Sequence, residues 1–399
     1  AKGRRGIRKN MLELKNKFIE ISLFPELGGR ILRFSLSGEN CLFENPALAG
    51  VENIQPTEKW DGKWLNYGGE KIWPAPQGWD DPEREWGGPP DPYIDGGIYK
   101  VIDSGEDFIT LESPADPVRG IKIRRNIKLL KDEARIKISA ELFNLSGVSK
   151  RWSIWPVAQM AQSSANCEAS VPVGGPAWRI MHGVVNNPQY SLDGDILRIK
   201  YMRIVGKVGA LAPAGWASFS DLSAGRVFAA SFDFNPAADY PDSTSVQVWT
   251  SGIGSVFSRG KLRTYPESEA ENPPYTELEL LSPLSEIPAG GSCKFDYCLG
   301  ACKTAKGESV KGVWQICATT VPLQKTSDGG FKFGAGFFKE GKLSVVALRG
   351  AESETILESD CTPLSPVFAK GEIPSGTDAV AVKFSDNYQN SKTIDSIRI

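Results

Sequence analysis

The chain has 399 residues, 41% of them hydrophobic and 24% charged, an ordinary globular composition rather than a disordered one. That length exceeds what one hydrophobic core usually serves, so a large domain with a smaller companion is expected. A formal net charge of −2 gives no broad attraction to nucleic acid or anionic lipid, and no apolar run of about 18 residues or more is present to insert in a membrane.

The first residues carry a basic cluster, Lys2, Arg4, Arg5, Arg8 and Lys9, which reads as a solvated end rather than a binding arm. No secretory signal is visible. The first residue is Ala, which leaves room for an upstream segment, and the expected compartment is periplasmic or secreted rather than cytoplasmic. Short alternating or β-branched runs follow, at residues 18–23, 30–34, 108–111, 121–127, 134–142, 227–232 and 275–280. Turn residues separate them, and almost no window carries a helical apolar period. The pattern predicts a mainly β chain, a sandwich or large antiparallel assembly.

Residues 60–97 differ. They hold Trp60, Trp64, Trp73, Trp79 and Trp86 together with Pro74, Pro76, Pro82, Pro89, Pro90 and Pro92. Neither a helix nor a central strand tolerates that many prolines. A long aromatic loop of this kind points to function. Further on, Ile287-Pro-Ala-Gly-Gly and Lys294-Phe-Asp-Tyr-Cys-Leu read as a turn and a strand, and Lys303-Thr-Ala-Lys-Gly-Glu as a linker. The expected division is 1–303 for the large domain and 304–399 for a small C-terminal β-sandwich.

Seven cysteines, an odd and scattered number, argue against a disulfide framework. With a single histidine, His182, a structural zinc site is not expected, and the metal and cofactor expectation is none. Gly28-Gly29 and Gly68-Gly69 lack the spacing of a phosphate loop, and no nucleophile elbow accompanies His182.

The residues present suit sugars, whose rings offer apolar faces to flat aromatics and hydroxyls to planar polar side chains. The run from Asn66 to Trp79 offers Glu70, Lys71, Trp73, Gln77 and Trp79, and the run from Arg151 to Gln159 offers Trp155 and Gln159. Arg30 is suited either to a hydroxyl or carboxylate of a ligand or to a structural pair with Glu26 or Glu44. Asp233, Tyr240, Asp242 and Trp249 form a looser sugar-facing group. Glu277 and Glu279 alternate on one strand and so share a face. Two carboxylates on one face repel, and burial raises the pKa of one of them, which suits acid/base work.

In order along residues 10–302, several segments resemble the galactose-mutarotase-like (aldose 1-epimerase) superfamily. Leu23-Phe-Pro-Glu-Leu-Gly-Gly-Arg-Ile-Leu-Arg-Phe34 resembles its opening strand-turn-strand. Asn66-Tyr-Gly-Gly resembles the segment in which a histidine precedes two glycines. Ser153-Ile-Trp-Pro-Val resembles the strand with a second catalytic histidine, and Tyr275-Thr-Glu-Leu-Glu279 the strand with the catalytic glutamate. The resemblance implies a galactose-mutarotase-like antiparallel β-sandwich that binds a mono- or oligosaccharide. It also implies Glu277 as general base, with Glu279 beside it. The two histidine positions read as Tyr67 and Trp155, so the acid is left among His182, Tyr67, Lys71 and water. Three readings stay open: an epimerase-like enzyme, a non-catalytic sugar binder, and an architectural domain of a polysaccharide-processing system.

Overall fold

The computed structural model describes residues 11–49, 64–78, 84–174, 178–258, 260–388 and 390–399. The basic cluster at residues 2–9 and the expected site residue Trp79, with Trp60, lie outside these. Among the described residues the chain is built of strands, with three single-turn 3₁₀ segments at Pro25–Leu27, Pro46–Leu48 and Pro241–Ser243. No helix there is long and apolar enough to cross a membrane.

Two large antiparallel sheets form the body, one of eleven strands and one of ten. Across its middle the eleven-stranded sheet runs Glu70–Ala75, Lys150–Ala161, Tyr275–Leu280, Val246–Thr250, Gly206–Ala210 and Trp178–His182. Each strand alternates, so one face presents Ile72, Ile154, Leu278, Val246 and Val248. That face buries them with Ile123, Ile136, Phe228 and Leu299 of the second sheet in a common core. The register places the other residues together on the opposite face: Val157 stands opposite both Lys71 and Glu279, and Gln159 opposite Glu277. Trp155 stands opposite Trp73, Gln247 opposite Glu279, and Lys207 opposite Trp249.

The Asn66-Tyr-Gly-Gly motif has a steric reason. Gly68 and Gly69 take φ of +95° and +74°. A Cβ on Gly68 would lie 2.1 Å from the Phe43 carbonyl oxygen, and one on Gly69 2.4 Å from that of Ile31. Only glycine lets the chain turn this closely into the Glu70–Ala75 strand.

The strands after residue 310 form two four-stranded sheets with a core of Phe331, Phe333, Phe337, Val345, Val380 and Phe384. A further buried cluster joins Val227, Ala229 and Cys302 to Val310, Val313, Ala318 and Phe338. The proposed division after residue 303 therefore has a direct test. A 1–303 fragment is expected to melt cooperatively, because its own core is complete. Its Tm will be lower than that of the full chain, because the loss of Phe338 and its neighbours bares this apolar cluster. A fragment with no cooperative transition by calorimetry would contradict the division.

Candidate functional site

On the open face of the eleven-stranded sheet lies a cleft of about 340 Å³. Its floor and walls include Trp155, Lys207 and Gln247 from the strands, Arg179 and His182 from the outer strand, Gln77 and Arg84 from the aromatic segment, and Asp242. Sheet strands make a rigid floor, so these side chains need little ordering to meet a ligand.

Two ion pairs underlie the face. Glu279, fully buried, accepts hydrogen bonds at Oε2 from Lys207 Nζ (2.9 Å) and Trp155 Nε1 (2.9 Å). Its Oε1 is buried and lacks a hydrogen-bond partner. Glu277 accepts at Oε1 from Gln159 Nε2 (2.7 Å) and pairs with Lys71 Nζ at 3.4 Å. Each lysine also lies over an indole, Lys207 4.6 Å from the Trp155 ring and Lys71 4.7 Å from that of Trp73. Burial pushes the Glu279 carboxyl up to about 7, against the pull of Lys207 and with help from Glu277. Burial likewise pushes Lys71 down to about 8, against the attraction of Glu277.

The aromatic cluster is mostly filling. Trp86 is fully buried against Trp73 (5.5 Å between centroids) and Trp155 (6.1 Å). Trp73 and Trp64 both turn their N–H groups to Asp95, at 2.8 and 2.9 Å. Of the tryptophans expected to meet sugar, Trp155 lines the cleft and Trp73 does not. Arg30 is buried and gives its guanidinium to Asp95 (2.7 Å), neither to Glu26 nor to Glu44; Glu44 is taken by Arg33. Tyr67 packs among Phe24, Leu27 and Leu32. Glu70 corrects the sequence expectation most clearly. It neighbours Lys71, so on a strand it must point to the other face. There it is buried between Arg125 and the Tyr297 hydroxyl, which donates to it at 2.6 Å.

The structure thus brings Gln77, Trp155 and His182 to the cleft lining, with Glu279 directly behind it. It places Lys71, Gln159 and Glu277 farther along the same face, off the lining. Sequence reasoning missed Arg84, Arg179, Lys207 and Gln247, and grouped Asp242 only loosely. The Asp242 carboxylate receives the Arg84 guanidinium at 2.8 and 3.4 Å, and its carbonyl accepts from Arg179. Asp242 and Ser243 hold φ of +53° and +56°, unusual for residues with a side chain. Such a conformation persists where neighbours fix it, and it occurs often at sites. Among the described residues no group of three or more His, Cys, Asp or Glu side chains is placed to hold a metal ion.

A family model described as a domain of unknown function, DUF4380, matches residues 9–279. No curated protein matches the sequence. The fold is similar to that of the Slr1438 protein from Synechocystis sp., with a TM-score of 0.50 and 12% identity over 75% of this chain and 98% of that one. A galactose mutarotase-like protein from Lactobacillus casei is similar at a TM-score of 0.48 and 10% identity, over 73% of this chain and 100% of that one. A TPR-domain containing protein from Parabacteroides distasonis is similar at a TM-score of 0.48 and 12% identity over 73% of this chain. The chain spans 46% of the length of that protein. At these identities the likeness is one of fold, and the mainly β, antiparallel architecture expected from the sequence is the one observed.

The raised Glu279 carboxyl has a thermodynamic signature. The native chain holds this proton at pH values where the unfolded chain has released it. The stability contribution is therefore fully present below about pH 4.5 and is lost as the pH rises through about 7. Relative to Glu279→Gln, the wild type is expected to lose stability across that window at a slope approaching about 1.4 kcal/mol per pH unit. Urea unfolding of both proteins at several pH values measures this. Parallel pH profiles would show that Glu279 titrates normally.

Proposed function

The chain belongs to the DUF4380 family, and from that premise we propose that its cleft binds a carbohydrate, a mono- or oligosaccharide. The observation that carries this reading is the cleft itself. A concavity of about 340 Å³ sits at the small end of ordinary ligand sites, which run from about 300 to 1,000 Å³. Trp155 and Gln247 touch its floor from near-complete burial, each 2% exposed, and Gln77, His182, Arg179 and Asp242 surround it with planar groups that donate and accept in pairs. Such groups are the chemistry that a rim of hydroxyls needs. The order of the mutarotase-like segments along the sequence supports the same ligand class.

A second reading, acid/base turnover of the bound sugar, rests on one specific feature. Glu279 has a carboxyl near neutrality with one oxygen unbonded, and its partner Lys207 reaches the cleft lining. A group titrating close to working pH is suited to move protons. Lys207 is the group that meets the ligand in this reading, and Glu279 holds it in position. Glu277, the base implied by the resemblance, is held by Gln159 and Lys71 away from the lining.

Both readings are open to measurement. The double variant Gln77→Ala/His182→Ala, at half-buried positions, is expected to weaken the best ligand of a glycan screen at least tenfold by calorimetry. Unchanged affinity would remove the cleft from consideration. In the second reading, wild type speeds the exchange of sugar anomers followed by proton NMR, and Glu279→Gln slows it on the order of 100-fold. Binding without any acceleration by the wild type would leave recognition alone.

A further inference from the structure

The charges around the cleft do not balance among the described residues. Three cationic side chains line it, Arg84, Arg179 and Lys207, against one carboxylate on the lining, Asp242. Arg84 already takes that carboxylate through two nitrogens. Lys207 is matched by Glu279 behind the lining. Arg179 differs from both. It is exposed, and its hydrogen bond goes to the main-chain carbonyl of Asp242, a neutral acceptor. That bond steers the guanidinium at the cleft wall without cancelling its charge. A guanidinium fork offers parallel N–H groups that match a planar carboxylate, and such charge-assisted pairs are about twice as strong as neutral ones.

Resting on the carbohydrate reading above, we infer that the sugar taken by this cleft bears a carboxylate, as a uronic acid residue does. The carboxylate meets Arg179 at the wall. The ring lies toward Trp155 and Gln247 on the floor, with hydroxyls left for Gln77 and His182. Asp242, fixed in its left-handed conformation by Arg84 and Arg179, sets the distance between the two guanidinium groups. A neutral sugar uses the same floor but leaves the Arg179 charge unmatched.

The test compares galacturonic and glucuronic acids, and their trisaccharides, with galactose, glucose and the matching neutral trisaccharides, by calorimetry on the full chain. Galactose 6-phosphate and glucose 6-phosphate form a third arm. The uronates are expected to bind at least tenfold more tightly than their neutral partners, and that advantage is expected to shrink in 0.5 M salt, where the Debye length falls to about 4 Å from about 10 Å at 0.1 M. Arg179→Gln is expected to weaken uronate binding about tenfold with an unchanged Tm, and Arg179→Lys to restore part of it. Equal binding of neutral and acidic sugars would overturn this inference while leaving the carbohydrate reading in place. Preference for the phosphates over the uronates would overturn the carboxylate assignment. Binding of none of these sugars would overturn both.

Discussion

The structure turns on one constraint: the Tyr275–Leu280 strand carries Glu277 and Glu279 on the same buried face of a sheet. Two carboxylates cannot be taken from water side by side without matching charge and hydrogen bonds. The neighbouring strands supply them, Lys71 and Gln159 for Glu277, and Lys207 and Trp155 for Glu279. Each partner comes from a different strand position, so a one-residue slip anywhere in this part of the sheet would turn a lysine or a glutamate into the apolar core. The polar pairs thereby fix the register, and the register fixes the cleft. Trp155, Gln247 and Lys207 reach the lining from the same face that the glutamates occupy.

The same arrangement explains why the pairs are unequal. Glu277 has two donors on one oxygen and sits farther along the face. Glu279 has the deeper burial, and that burial, with the neighbouring charge of Glu277, raises its carboxyl toward neutrality. An asymmetric pair of carboxylates is how environment divides two identical groups into different roles. Here the carboxyl raised toward neutrality, Glu279, is the one whose lysine touches the cleft.

Much of this was legible in the sequence. Alternation in Tyr275-Thr-Glu-Leu-Glu gave the shared face of the two glutamates, and Ser153-Ile-Trp-Pro-Val placed Trp155 on a strand. The short alternating runs between turn residues foretold the large antiparallel sheets. The same alternation rule also shows that Glu70 and Lys71 oppose each other, yet composition drew both into one site. Trp73 was misleading for another reason: an aromatic cluster reads alike whether it meets a ligand or packs on itself, and only Asp95, 22 residues away, shows where its N–H goes. Lys207 carried a faint signal, a lone charge inside Val205-Gly-Lys-Val-Gly-Ala. Arg84, Arg179 and Asp242 carried almost none, because their meeting spans 158 residues of sequence between Arg84 and Asp242. Such contacts follow from topology, which local pattern does not encode.

The central claim is that the open face of the large sheet is where a carbohydrate binds. A crystal structure with the tightest oligosaccharide from a glycan screen tests it most directly. The account predicts a sugar ring in the cleft, with hydrogen bonds to Gln77 and His182. Sugar density confined to the C-terminal sheets, or to the face of the ten-stranded sheet away from the core, would contradict it.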